Sequence, residues 1–229
     1  MTSPPSLKYG CGNKSADAVL ETLSESSAIL TAARRVIAAN AAAVSAAETA
    51  LGETFVNVCR LLASGSGKVL VTGSGTSGAI AIRAAHLLSV AGTPAFYLAP
   101  ADGLHGGLGV LRGEDSVIAI SKGGGSAELN EFCRRARRLA GCLIAITASP
   151  ESELAVLADH VLPLTLPADA DLGAIIATGS SLAAAALLDA ITDVTRMMRG
   201  YRWDQVIYTH PAGAVGRDGA NLASSAQSE

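Results

Sequence analysis

Aromatic residues are scarce in this sequence, making up only 3% of its 229 positions. Hydrophobic residues still account for 49%, so a sizeable core is available but must be built largely from small side chains. This composition disfavours a β-sandwich and favours closely packed helices that cover a sheet. The length suits one domain, because single hydrophobic cores stop growing only beyond roughly 250–300 residues.

An excess of positive charge is also missing. The formal net charge is −3, so the protein has no overall cationic field to attract a nucleic-acid backbone. We therefore expect no nucleic acid among its partners. A small anionic ligand needs only local hydrogen-bond donors and stays compatible with this charge.

Cysteine pairs and export signals are absent as well. The four cysteines form no C-x-x-C pair, so we expect reduced thiols in a cytoplasmic protein. The N-terminus lacks a basic stretch followed by an apolar run, which predicts no cleaved signal peptide. Residues 173–191 are uncharged up to Asp189 but only weakly hydrophobic. We interpret them as a buried helix and expect no membrane association.

Apolar runs alternate with helical patterns along most of the chain. Residues 16–62 carry apolar residues at three- and four-residue spacing, which predicts two or three helices. Helical segments then separate five short runs, which are KVLVT, AFYL, SVIAIS, CLIAIT and HVLPLTL. This alternation predicts an α/β fold with a parallel five-stranded sheet flanked by helices on both faces. We expect a flexible arm over residues 1–15, one domain over 16–218 and a flexible tail over 219–229.

The first candidate binding loop, GSGTSG, spans residues 73–78 between a predicted strand and a helix. Gly73 lets the backbone approach an anion, the hydroxyls of Ser74, Thr76 and Ser77 donate hydrogen bonds, and a helix start adds free N–H groups. The loop also satisfies G-x-G-x-x-G, but no acidic residue follows before Pro94, as a dinucleotide site would require. A simple strand-to-helix turn with a capping hydroxyl is the alternative.

A second loop of the same kind, SKGGGS, spans residues 121–126 at the end of another strand. Its hydroxyls and glycines can converge with the first loop on one phosphate. Glu128 follows in the first turn of the next helix. This carboxylate is a candidate catalytic group or, alternatively, only a first-turn acid that stabilises the helix.

Four further candidates lie in loops, where functional groups concentrate. His105 occurs in DGLHGGLG and His210 in THPAGAVG, both rich in glycine. Asp169 and Thr178 precede the alanine-rich helix.

These segments, in this order, resemble the SIS domain of arabinose-5-phosphate isomerases from about Val19 to Arg217. The matching motifs are GSGTSG, APADGLHGGLG, SVIAISKGGGSAEL, ITASPESELA and THPAGAVGR. The resemblance implies the SIS fold, a flavodoxin-like three-layer sandwich. The tandem CBS domains of many such isomerases have no counterpart in the sequence, so regulation through them is not expected.

The resemblance also implies roles for individual residues. The family's catalytic glutamate falls on Glu128, its histidines fall on His105 and His210, and a second glutamate becomes Asp169, one methylene shorter. The candidate substrate-binding residues, taken from the loops described above, are Gly73, Ser74, Thr76, Ser77, Ser121, Lys122, Gly124, Ser126 and Thr178.

Some positions depart from the family pattern. Thr76 stands where the family has a lysine, and Lys122 is a candidate to replace that cation. Gly125 stands where the family usually has a glutamate. Ala99 replaces a metal-associated histidine, so we expect no metal at that place.

The implied activity is aldose–ketose isomerisation of a phosphorylated sugar through a cis-enediol, without a cofactor. Glu128 and Asp169 are the candidate bases, and no sequence argument decides between them. The family also implies a homodimer or homotetramer with composite active sites. A sugar-phosphate sensor that has lost its chemistry remains an alternative, as does, less strongly, a lyase or deaminase acting on amino-sugar phosphates.

Overall fold

The computed structural model describes residues 26–212 and residue 219. Within these residues, two α-helices precede the sheet, α1 (Ser26–Ala46) and α2 (Glu53–Ser64), in agreement with the sequence pattern. The chain divides into two compact units, Met1–Ala38 and Ala39–Glu229, so that α1 belongs to both. The predicted arm and tail lie at the chain ends, largely outside the described residues, and stay predictions.

The sheet has five parallel strands in the order β2-β1-β3-β4-β5, which confirms the predicted fold class. The strands are β1 (Val69–Thr72), β2 (Ala95–Tyr97), β3 (Ser116–Ile120), β4 (Cys142–Thr147) and β5 (His160–Pro163). Because β2 lies on one side of β1 and β3 on the other, the strand order reverses between β1 and β3. Ligands of doubly wound sheets bind at such a switch point, beyond the carboxyl ends of the strands.

Helices follow the strands and cover the sheet. They are α3 (Thr76–Val90), α4 (Pro100–Leu104), α5 (Ala127–Ala136), α6 (Glu153–Leu157), α7 (Gly179–Met198) and α8 (Trp203–Tyr208). The two faces of β3 show why both sides are covered. Ile118 and Ile120 pack into a core formed with α2, α3 and α7, whereas Val117 and Ala119 pack into a second core with α5 and α6. Strands buried on both faces read as the continuous apolar runs seen in the sequence.

The stretch over residues 173–191 contains most of helix α7, which is part of the core. Its buried side chains include Ala183, Ala184, Leu187 and Ile191, which confirms the buried helix from residue 179 onward. Residues 173–178 precede the helix, and Ile175 and Ile176 are exposed, so the prediction was wrong for this part. A different segment, Ser26–Ala50, is the one described helix with the length and apolar composition of a membrane span. Core helices of soluble proteins and N-terminal signal sequences meet the same criterion, so this observation alone is weak evidence.

Three of the cysteines are buried free thiols, while Cys11 lies outside the described residues. Burial raises the pKa of Cys59 and Cys142 to about 11 and that of Cys133 to about 12. Only the thiolate is the reactive form. We therefore expect these three thiols to react with iodoacetamide at pH 8 at least about 100-fold more slowly in the native protein than in urea. Peptide mass spectrometry reports each cysteine separately, and fast native labelling of Cys133 would contradict the prediction.

Candidate active site

The loop after β1 lies directly against the end of β3. A Cβ atom on Gly73 would lie 2.9 Å from the carbonyl carbon of Ser77 and 3.1 Å from the carbonyl oxygen of Ile120. Only glycine permits this approach without displacing backbone. Gly75 has a φ of +56°, a conformation that glycine adopts at little cost. The structure thus brings the two predicted loops next to each other at the switch point of the sheet.

Neither of the helices that follow these loops is capped by a side chain. Gly75 occupies the N-cap of α3, and Ser126 occupies that of α5 without a capping hydrogen bond. In contrast, Ser152 caps α6 by accepting a hydrogen bond from the Ala155 N–H at 3.4 Å. The first N–H groups of a helix have no acceptor within it, and its positive dipole end favours an anion. The alternative interpretation of the first loop was a simple turn whose hydroxyl caps the helix. The structure does not show this arrangement, because no side chain caps α3.

The loop after β3 is held rigidly. The Gly124 N–H donates to Ser121 Oγ at 3.1 Å, and the Gly124 carbonyl accepts from the Asn130 side chain at 3.1 Å and from the Leu154 N–H at 3.2 Å. Gly124 has a φ of +61°, and a Cβ atom there would lie 2.0 Å from Ser152 Oγ. Ser121 keeps its own hydroxyl proton to donate to a ligand.

Lys122 forms an ion pair that the sequence did not reveal. Its Nζ lies 2.6 Å from Asp171 Oδ2, and the side chain of Asp171 is only 2% exposed. Asp171 also accepts hydrogen bonds from the Thr178 N–H at 2.8 Å, the Ser180 N–H at 2.9 Å and Ser180 Oγ at 2.8 Å. Burial alone would raise the pKa of Asp171, but these hydrogen bonds together hold it below its usual value. The carboxylate therefore stays ionised near neutral pH.

A cavity of about 620 Å³ opens beside Lys122, at the carboxyl ends of β4 and β5. Its walls are Lys122 and Gly123, the residues after β4 from 148 to 150, residues 163–168, and Ala170, Asp171 and Ala174. A second, much smaller cavity of about 20 Å³ lies between Lys122, Ser77 and Ser180. Lys122 therefore borders both the predicted phosphate loops and the larger cavity.

The remaining candidates occupy different parts of the structure. Asp169 is exposed between two residues of the cavity wall, and Glu128 is exposed in the first turn of α5. His105 is exposed at the end of α4. His210 follows α8, and its Nδ1 lies 2.7 Å from the Val206 carbonyl oxygen. Since a carbonyl only accepts, this contact places a proton on Nδ1.

The structure thus joins some candidates and leaves others apart. Ser77 and Lys122 line one cavity, and Lys122 and Thr178 bind the same carboxylate. Within residues 26–212, no hydrogen bond connects Glu128, His105 or His210 to these groups. Residues 213–217 of the THPAGAVGR motif lie outside the described part of the chain.

Sequence comparison finds related proteins. The profile of the SIS domain matches residues 62–190. Arabinose 5-phosphate isomerase KdsD of Pseudomonas aeruginosa is 34% identical over 185 residues, which are 81% of this chain and 57% of that protein. Arabinose 5-phosphate isomerase GutQ of Escherichia coli K12 is 33% identical over 191 residues, 83% of this chain and 60% of that protein. The chain therefore spans less than two thirds of the length of these relatives.

Two solved structures are also similar. A candidate sugar-phosphate isomerase of Listeria monocytogenes has a TM-score of 0.78 and 32% identity, and it covers 82% of this chain and 99% of its own. A protein of Escherichia coli CFT073, solved in complex with A5P, has a TM-score of 0.77 and 26% identity, covering 82% of this chain and 100% of its own.

Proposed function

Because this chain belongs to the SIS-domain family, we propose that it is a cytoplasmic aldose–ketose isomerase that acts on a phosphorylated sugar. One observation carries the proposal. Two neighbouring strand ends each lead through a loop of glycines and hydroxyls into a helix with an uncapped N-terminus, beside the ammonium group of Lys122. This arrangement suits a phosphate dianion. The related isomerases make arabinose 5-phosphate the first substrate to test.

In the proposed complex, the phosphate accepts hydrogen bonds from the loop N–H groups and hydroxyls. The proposed donors belong to Ser74, Thr76, Ser77, Ser121 and Ser126. Gly73 and Gly124 let the loop backbone approach the phosphate, and Thr178 lies at the edge of the site. Lys122 supplies the cation that the family places at the position of Thr76. A lysine of this kind stabilises negative charge strongly where water is excluded.

The proposed reaction moves one proton between adjacent carbons. The carboxylate of Asp169 or Glu128 removes the proton from C2 of the open-chain aldose, and the electron pair forms the C1–C2 double bond as the carbonyl oxygen is protonated. The resulting cis-enediol loses the O2 proton, and the carboxyl returns its proton to C1, which gives the ketose. His210, through Nε2, and His105 would move protons between the two oxygens or assist ring opening. The proposed reaction needs no redox cofactor, because the substrate and the product are isomers.

We also propose that copies of this chain assemble into an oligomer. His210 and His105 are not hydrogen-bonded to the phosphate loops within the described chain. A homodimer or homotetramer, in which His210 serves a neighbouring subunit, would complete the site. A fully active monomer would contradict this part of the proposal.

Proton exchange at C2 tests the activity directly. We expect the protein to incorporate deuterium from heavy water into arabinose 5-phosphate or another pentose, hexose or tetrose phosphate, as followed by proton NMR. Unphosphorylated arabinose is the matched control and should show no exchange, because it lacks the group that the loops bind. Tight binding of every sugar phosphate without exchange would instead support the sensor alternative, which Thr76 in place of lysine favours.

A further inference from the structure

Within residues 26–212 the chain has two lysines, and each pairs with a buried aspartate. Lys68 Nζ lies 3.2 Å from Asp115 Oδ1 at the amino end of β1, whereas Lys122 binds Asp171 beyond the carboxyl end of β3. The two pairs are alike in chemistry but lie at opposite edges of the sheet. Only the Lys122 pair borders the phosphate loops and the larger cavity.

Both ends of the Lys122 residue are fixed. Its carbonyl accepts hydrogen bonds from the Ala148 N–H at 2.9 Å and from Thr147 Oγ1 at 3.0 Å, which attach the main chain to the end of β4. The ammonium is fixed by Asp171. An ammonium group has three donors, so others remain for a ligand, and the side chain is 43% exposed.

Asp171 is itself held from several directions. The hydrogen bonds from Thr178 and Ser180 fix both carboxylate oxygens before Lys122 is counted. The position of the carboxylate is therefore set by the turn before α7 and by the start of that helix. Asp171 is thus positioned independently of Lys122, and it in turn sets the position of the Lys122 ammonium group.

We propose that Asp171 is a positioning residue, which fixes the Lys122 ammonium between the phosphate loops and the cavity so that it meets the phosphate of the ligand. The inference rests on the proposed phosphosugar site. A lysine side chain is flexible and strongly hydrated, so an unheld ammonium would seldom occupy the one position where the phosphate binds. The ligand takes a second donor of the ammonium while Asp171 keeps the first.

Chemical labelling tests the position of the ammonium without any need for activity. The protein is acetylated with limiting acetic anhydride, with and without inorganic phosphate, and each lysine is read by peptide mass spectrometry. We expect phosphate to slow labelling of Lys122 at least about threefold, because phosphate blocks its exposed donors. Lys68 is the internal control and should not change. Equal protection of both lysines, or of neither, would overturn the proposal.

Binding of arabinose 5-phosphate to variants separates position from charge. K122M, D171N and D171E are each expected to raise the dissociation constant about tenfold or more, the value of a hydrogen bond to a charged group. D171E keeps the charge but moves the carboxylate by one methylene. If the charge of Asp171 merely opposed the anion, D171N would bind more tightly and D171E like the parent, and the proposal would be wrong.

A double variant shows whether Asp171 acts through Lys122. We expect K122M together with D171N to bind no more weakly than K122M alone, since groups that act as one unit are not additive. D115N disrupts the matched pair at the opposite edge and should leave the affinity for arabinose 5-phosphate unchanged. If D115N lost as much affinity as D171N, the effect of D171N would be merely structural and the proposal would be wrong. Protection of Lys122 without C2 exchange would refute only the isomerase function. Exchange without protection would refute only the role of Asp171.

Discussion

Asp169→Asn is expected to lower the rate of C2 proton exchange by about 10²–10⁴-fold, the usual contribution of a positioned general base. An amide cannot accept the proton, while its shape nearly equals that of the carboxylate. Asp169 is exposed between Ala168 and Ala170, both in the cavity wall. The measurement is deuterium incorporation by NMR at saturating sugar phosphate, so that a change in binding does not hide the change in turnover.

Glu128→Gln is the comparison that assigns the base. Glu128 is exposed in the first turn of α5 and does not line the larger cavity, so we expect a smaller loss than for Asp169→Asn. Asp189→Asn is the control, because Asp189 lies on α7 in an exposed pair with Arg83. Full exchange in both the Asp169 and the Glu128 variants would refute the acid–base assignment. A larger loss in Glu128→Gln would reverse the order of the two carboxylates.

The sheet could be predicted because its inner strands, β1, β3 and β4, are buried on both faces. The outer strands β2 and β5 are only partly buried. Leu143, Ile144 and Ala145 are all fully buried, although alternate residues face different cores. Such a strand leaves a continuous apolar run in the sequence. The loops of glycine and hydroxyl residues could also be recognised from local sequence, since each of them directly follows one of these apolar runs. Local patterns therefore sufficed for the fold class and for the position of the two neighbouring loops of glycine and hydroxyl residues.

Asp171 could not be predicted in the same way. It follows Asp169 by two residues, and nothing local distinguishes a buried ion-pair partner from an exposed loop aspartate. Its pairing with Lys122 joins residues 49 positions apart, and such a contact depends on the packing of α7 against the sheet. Helix capping was also undetermined, because Ser126 and Ser152 both precede helices but only Ser152 uses its hydroxyl as a cap.

Asp115→Asn is expected to lower the free energy of unfolding by about 2–4 kcal/mol at pH 7, since it leaves buried donors without their charged acceptor. The Asp115 side chain is fully buried and accepts hydrogen bonds from the Lys68 N–H at 2.7 Å and the Arg112 N–H at 2.9 Å. It thereby joins the start of β1 to the turn before β3. Urea unfolding followed by circular dichroism measures the loss. Asp189→Asn, in an exposed pair, should cost less than about 1 kcal/mol.

The effect of Asp115→Asn should also depend on pH in a defined direction. Burial alone would raise the pKa of Asp115, but the hydrogen bonds from Lys68 and Arg112 lower it below the ordinary value of 3.8. A lowered pKa means that ionised Asp115 stabilises the fold fully above the ordinary pKa and loses this contribution as the pH falls through the native value. The difference between parent and variant should therefore be constant from pH 6 to 8 and shrink below about pH 4. A difference that grew with acidification would show that Asp115 is protonated in the native protein, and the ion pair with Lys68 would then not form.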